Sequence, residues 1–435
     1  MELFDWQKPI KDAAVASLKE NRVFICGAYT GSGKTPISCA VIKELGCPAL
    51  VIAPKVSLTQ WERTAEAMGV KDQMVGVINP EQLSKPSGCV FFNRDTGWKL
   101  PPNCLVVFDE IHRGASGEDS ITTKAVAYLH ALPTSKLLAL SATVADSPLK
   151  LRALGYWLGF HNFTIANFHN WCQRHGCSWQ VFGWGRNKRR VFEFTKAKSR
   201  AKELMGIIRR EMGERFKSIG PDEIPNFPDE ILEVKRIDLA KEDHDALVEA
   251  YASMPDAMKT PTKDDMVRLL RDRQKAEFCK AQAIAELAVE YEEDGLSVFI
   301  LLNFTDARLR VEEFLKSKGI KFASIYGGQK DAERQKGIDA FQRNDVHILV
   351  AMAAAASCAL SAHDERHERP RVSLISPGYN AAEVKQGLGR IRRVNGTAVT
   401  QYFILAANSV EEKVATSLQR KLESIDAIND NDLMR

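Results

Sequence analysis

The 435-residue chain has no stretch approaching the roughly 18 apolar residues of a membrane-spanning helix. The nearest, Ile348 to Ala362, is alanine-rich and reads as a strand plus a loop, so no membrane partner is expected. It starts Met1-Glu2-Leu3-Phe4-Asp5, without the basic region of a signal peptide, which predicts no export and a cytoplasmic location. Internal repeats and low-complexity tracts are missing. A disulfide framework is not indicated either: the nine cysteines are odd in number and scattered through apolar contexts, as reduced thiols are. His169, Cys172, His175 and Cys177 invite a zinc reading, but their spacing is cramped and no distant second pair completes it. An excess of one charge sign is missing as well, 60 Lys and Arg standing against 56 Asp and Glu for a net +4, which says little about partners until its distribution is read.

What is present is a hydrophobic content of 45% in a chain too long for one core, since single cores stop growing near roughly 250 to 300 residues. Two domains and an insertion are expected. From Val23 to Val144, short apolar runs alternate with helical patterns: Val23 to Cys26, Ala49 to Ile52, Cys89 to Phe92, Leu105 to Phe108 and Leu137 to Leu140. The alternation predicts a parallel sheet covered by helices on both faces. A second series follows the break at Pro221, Pro225 and Pro228, with strands expected at Ile231 to Ile237, Val298 to Leu302, Phe322 to Ile325, His347 to Val350, Val372 to Ile375 and Thr400 to Leu405. The fold class is α/β, two tandem parallel-sheet domains at 1–150 and 228–435, with a helical, aromatic and basic insertion at 151–227.

The first apolar run feeds Ala28-Tyr29-Thr30-Gly31-Ser32-Gly33-Lys34-Thr35, a glycine-rich turn ahead of a helix. Such a turn cradles nucleotide phosphates with its backbone N–H groups, Lys34 reaching the β/γ-phosphates and Thr35 ligating Mg²⁺. Ala28 stands where the pattern has its first glycine, and a flexible turn with a helix-starting lysine is the plainer alternative. A second motif weighs against that alternative. Leu105-Val106-Val107-Phe108 ends in Asp109 and Glu110, where Asp109 would hold Mg²⁺ and Glu110 would orient or deprotonate the attacking water.

Taken with Val51-Ile52-Ala53-Pro54-Lys55 and Trp61, with Asp109-Glu110-Ile111-His112, with Ser141-Ala142-Thr143 and with Gln386-Gly387-Leu388-Gly389-Arg390-Ile391-Arg392-Arg393, this ordered set resembles helicase superfamily two. Arg113, the stretches Leu140 to Leu158 and Phe163 to Trp171, and Ile325-Tyr326-Gly327-Gly328 followed by Arg334, Ile338 and Phe341 resemble its Swi/Snf-type branch. The compact length resembles bacteriophage-encoded members. The resemblance implies two RecA-like domains with ATP and Mg²⁺ held between them. It also implies an arginine finger from Arg390 or Arg393, with Gln386 beside the nucleotide and Gln7 reading adenine. Coupling through His112, Ser141 and Thr143 follows from it too, as do nucleic-acid contacts to the phosphodiester backbone from Pro54, Lys55, Asn303 and Thr305. Two positions depart from the family: Ala351 to Ser361 is alanine-rich where glycines are usual, and Ser376 stands where an acid is common. The alanines restrict positive φ and predict a stiffer or partly helical loop.

Within the insertion, Trp157, Trp171, Trp179 and Trp184 accompany Arg186, Lys188, Arg189 and Arg190. From Arg186 to Lys217 twelve Lys/Arg stand against four Glu, so this segment is the candidate surface for stacking bases and neutralising phosphates, with Arg189 and Arg190 as contacts. A small aromatic core under a solvated helix is the plainer reading. The sequence points to an ATP-dependent DNA helicase or translocase acting on forked or branched DNA in replication and recombination. An RNA helicase is the alternative within the class, and a nucleotide-gated binding switch is the alternative outside it.

Overall fold

The computed structural model describes residues 1–85, 87–115, 119–142, 144–145, 147–182, 188–195, 197–252, 263–356, 361–376, 387–407 and 411. The chain divides into two compact units, the first spanning Met1–Pro225 and the second beginning at Asn226.

In the first unit the strands are β1 (Val23–Cys26), β2 (Ala49–Ile52), β3 (Met74–Ile78), β4 (Phe92–Asn93), β5 (Gly97–Trp98), β6 (Leu105–Asp109), β7 (Lys136–Leu140), β8 (Cys177–Phe182), β9 (Arg189–Phe194) and β10 (Phe216–Lys217). Six form one sheet in the order β10-β1-β7-β6-β2-β3, every pair parallel. Alternate residues of each strand enter two separate cores: Val23, Ile25, Val106 and Phe108 on one face, Phe24, Cys26, Leu105 and Val107 on the other. That is why these strands read as unbroken apolar runs rather than as an alternation of apolar and polar.

Two expectations are corrected here. Cys89 to Phe92 is not a strand of the sheet; only Phe92–Asn93 pairs, antiparallel, with Gly97–Trp98. The sheet edge belongs instead to β3, and a Cβ on Gly76 would lie 2.6 Å from the Phe91 ring, so this segment packs on the face of β3. The insertion is not wholly helical. It holds the helices Ile165–Arg174 and Lys198–Met212, and between them β8 and β9 form an antiparallel hairpin. The helix Lys198–Met212 ends where Gly213 turns to φ +58°, and Phe216–Lys217 then pairs with β1. The insertion thus returns to complete the first sheet.

The second unit comprises β11 (Glu230–Ile237), β12 (Ser297–Leu302), β13 (Phe322–Ile325), β14 (Ile348–Met352), β15 (Arg371–Ile375) and β16 (Val399–Ala406). They pair all-parallel in the order β11-β16-β15-β12-β14-β13. After β14, Ala353–Ala356 is a helical turn; Ser357 to Leu360 lie outside the described residues. A buried ion pair fastens this unit: Lys280, 1% exposed, meets Glu411 at 2.7 Å and donates to the Ile404 carbonyl, while Glu411 accepts from the Ala406 N–H.

Breaking one partner of such a pair leaves a charge stranded in the core. Glu411→Ala is expected to cost about 3–5 kcal/mol in urea unfolding, and the double change Lys280→Met with Glu411→Leu is expected to recover most of it. Equal losses in both variants would show that shape, not charge, holds this contact.

Candidate nucleotide and nucleic-acid sites

The loop after β1 is held in a conformation that only its glycines allow. Gly31 and Gly33 have φ of +78° and +76°, in the left-handed region, and Gly33 caps the helix Lys34–Leu45. Ala28 keeps a negative φ, so the departure from glycine there carries no strain. The loop is also tied to the end of the insertion: Gly27 N–H donates to the Lys217 carbonyl and Tyr29 N–H to the Ile219 carbonyl. Lys34 Nζ folds onto its own loop, donating to the Ala28 and Tyr29 carbonyls at 3.0 and 3.2 Å.

Two hydroxyls in this loop, Thr30 Oγ1 and Ser32 Oγ, are buried without a hydrogen-bond partner. Orphaned donors beside a lysine and a helix N-terminus fit the oxygens of a nucleotide's phosphates. Lys34 and the loop N–H groups would hold the phosphates, and Thr35 with Asp109 would hold Mg²⁺. Gln7 is not on the surface but buried under the loop. Its Nε2 donates to the Ser32 carbonyl at 2.9 Å and its Oε1 accepts from Phe4 N–H, leaving one hydrogen and one lone pair for an adenine. A Cβ on Gly33 would fall 2.6 Å from that Nε2, so the glycine makes room for Gln7.

Asp109 closes β6, and Glu110 follows with φ +52°, a strained value for a non-glycine residue. The strain turns the two carboxylates to different partners. Trp61 Nε1, from the helix Leu58–Ala67, donates to Asp109 Oδ2 at 3.0 Å. Glu110 lies 3.3 Å from His112 Nδ1, and that nitrogen is 2.7 Å from Ser141 Oγ at the end of β7. Strand β7 lies between β1 and β6, so Ser141 sits between the phosphate loop and the acids, its N–H donating to the Cys26 carbonyl. Burial and the Glu110 charge push the Asp109 carboxyl up to about 6, against the pull of Trp61 and Lys34. The sequence named Trp61 only within a motif; its hold on the acid becomes visible in three dimensions.

Pro54 and Lys55 follow the carboxyl end of β2, and Asn303 and Thr305 that of β12. Thr143 and Gln386 lie outside the described residues. In the arginine run, Arg390 is buried and Arg393 half-buried near His363. Arg392 is committed to structure, donating to the Pro228 carbonyl and to Glu230 at 2.8 Å.

The tryptophans largely follow the plainer reading of an aromatic core. Trp157 donates to the Val126 carbonyl inside the core and Trp171 is buried, both packing rather than binding, while Trp184 lies outside the described residues. Trp179 differs: 42% exposed on the β8–β9 hairpin, it contacts Phe192 and His169, with the exposed Arg190 guanidinium 5.5 Å from its ring. Lys188 at the other arm's start is exposed as well. His175 spends its ring nitrogens on the Trp171 carbonyl and Glu211.

A phosphate loop, paired acids and a second parallel-sheet unit with an arginine run define an ATP-hydrolysing nucleic-acid motor class. Residues 1–146 match the family described as type III restriction enzyme, res subunit, and residues 279–395 the helicase conserved C-terminal domain. The chain belongs to helicase superfamily two and is an ATP-hydrolysing enzyme that uses ATP with Mg²⁺. It is 27% identical over 99% of its length to a provisionally named ATP-dependent RNA helicase of Acanthamoeba polyphaga mimivirus, spanning 84% of that protein. ATP-dependent RNA helicases DBP3 of Coccidioides immitis and Yarrowia lipolytica are 31% and 29% identical over stretches that span 16% and 20% of their lengths.

Were Asp109 to hold Mg²⁺, its carboxyl, pushed up to about 6 in the metal-free site, would first have to lose its proton. ATP turnover at limiting Mg²⁺ is therefore expected to fall on the acid side of about pH 6. Trp61→Phe removes a hydrogen bond that favours the charged form, so the acid limb should move to higher pH. An unmoved limb in the pH–rate profile would dissociate Trp61 from Asp109 ionisation.

Proposed function

We propose that the chain is an ATP-driven motor that acts on RNA, moving along or separating strands as its nucleotide site cycles. The observation that carries this reading is the relationship along nearly the whole chain to a protein named as an ATP-dependent RNA helicase. Bound ATP with Mg²⁺ supplies the phosphoanhydride whose hydrolysis drives the cycle. Lys34, Thr30 and Ser32 bind and orient the phosphate oxygens, Glu110 positions the water and takes its proton, and Arg390 and Arg393 neutralise developing charge. The contact chain from Glu110 through His112 to Ser141 is the proposed route by which nucleotide state reaches the strand-end loops.

A DNA translocase of Swi/Snf type, the first expectation from sequence, is the second reading, carried by the run Ile325 to Gly328 with Arg334, Ile338 and Phe341. It is weaker, because the relatives reported above are named as RNA helicases. A nucleotide-gated switch with little turnover is the reading to which an absence of stimulation would lead.

Steady-state turnover with RNA, single-stranded DNA, duplex DNA and branched DNA at one salt concentration separates these readings. RNA is expected to stimulate most; stimulation by branched DNA alone would establish the DNA reading, and none by any of them the switch. Lys34→Ala should abolish turnover with an unchanged melting curve. Arg393→Ala should keep nucleotide affinity and lose about a thousandfold in turnover, as arginine fingers do. For the hairpin, Lys188→Ala with Arg190→Ala should weaken binding of single strands and flatten its log–log salt slope by about 1.4, the share of two phosphate contacts. An identical slope would remove the hairpin from the interface.

A further inference from the structure

At the carboxyl end of β12 the chain turns through Asn303 and Phe304 into the helix Thr305–Ser317. Glu277, 4% exposed on the helix Lys263–Glu293, takes three donors from this turn. The backbone N–H groups of Asn303 and Phe304 both reach its Oε1 at 2.8 Å, and the Asn303 side chain Nδ2 reaches Oε2 at 2.6 Å. The other Nδ2 hydrogen goes to the Ser376 carbonyl at 3.1 Å, beyond the end of β15. The same helix grips the far side of the turn: Gln274 donates to Asp306, and the Arg273 guanidinium lies 5.8 Å from the Phe304 ring.

This network fixes which way the Asn303 amide faces. A carboxylate and a carbonyl accept only, so a reversed amide would set oxygen against two acceptors. Both Nδ2 hydrogens are therefore spent inside the protein, and Oδ1, to which no described residue donates a hydrogen bond, is what the half-buried side chain has left to offer. Its place in the sheet is also particular. β12 and β15 are neighbours, yet the chain leaves β12 toward β13 on one side and β15 toward β16 on the other. That divergence is the switch point where open α/β sheets bind ligands, beyond the strands' carboxyl ends.

A free acceptor cannot hold a phosphate oxygen, which is itself an acceptor, so the phosphate contact expected of Asn303 does not suit its chemistry. The sugar–phosphate chain of DNA carries no hydrogen-bond donor; that of RNA carries one per residue, the 2′-hydroxyl. We propose that Asn303 Oδ1, aimed by Glu277 and Ser376, accepts a hydrogen bond from a ribose 2′-hydroxyl and is a residue by which this chain distinguishes RNA from DNA. Glu277 is then a positioning residue, acting on the substrate only through Asn303. The inference rests on the RNA reading above.

The test uses single strands of one sequence as RNA, 2′-fluoro RNA and DNA, with the apparent KM for ATPase stimulation as readout. The 2′-fluoro strand keeps an RNA-like sugar but has no 2′ donor. The intact protein is expected to favour RNA over 2′-fluoro RNA by about fivefold, the worth of one hydrogen bond. Asn303→Ala should bring that ratio to about one by raising the RNA value alone. Glu277→Gln keeps the acceptor for the two backbone N–H groups but puts a donor against Nδ2, so it should narrow the ratio as well. Equal KM for RNA and 2′-fluoro RNA with the unaltered protein would overturn the proposal without any variant. So would an Asn303→Ala protein weakened alike toward all three strands, or a preference among bases at one sugar that this change abolishes. Stimulation of the unaltered protein by DNA and not RNA would instead overturn the RNA reading itself.

Discussion

In each six-stranded sheet every strand runs the same way as its neighbours, so hydrogen bonding alone brings all the carboxyl ends to one edge. The chemistry of the first unit follows from that arrangement. The phosphate loop after β1, Pro54 and Lys55 after β2, the acids at the end of β6 and Ser141 after β7 share an edge because their strands share a direction. Their spacing follows from strand order, with β7 inserted between the loop and the acids. Parallel sheets require both faces to be covered, which the two cores of this unit accomplish.

Within that edge, electrostatics decides the details. Asp109 is crowded by Glu110 and deprived of water, so the site holds negative charge at a cost that a divalent cation would relieve. The strained backbone at Glu110 separates the two acids, sending one toward Trp61 and the other toward His112 and Ser141. In the second unit the buried carboxylate of Glu277 does comparable work by organising three donors.

The parallel-sheet fold was legible because buried strands write themselves as apolar runs; the run Leu105 to Phe108 and the strand Leu105–Asp109 nearly coincide. β3 was overlooked because Gly76 interrupts Met74–Ile78, while Cys89 to Phe92 imitated a strand by packing its Phe91 ring on that same glycine. The β8–β9 hairpin did carry a signal, the alternation of Cys177, Trp179 and Val181 with polar residues, which was obscured by the basic count around it. The phosphate loop and the acids could be named from spacing. Trp61 on Asp109, the docking of Gln7 and the Glu277 latch could not, since each joins residues at least 25 positions apart through a single hydrogen bond or a small set of them.

The ammonium of Lys34 resting on two carbonyls of its own loop makes the lysine a competitor for its site. Anything that enters has to offer more than a pair of carbonyl dipoles. A neutral nucleoside cannot, and a single anionic group does so only weakly, whereas clustered oxyanions outbid the loop and release the carbonyls together. Drawing the ammonium off those carbonyls therefore takes clustered negative charge, which the phosphates of a nucleotide bring and its base does not.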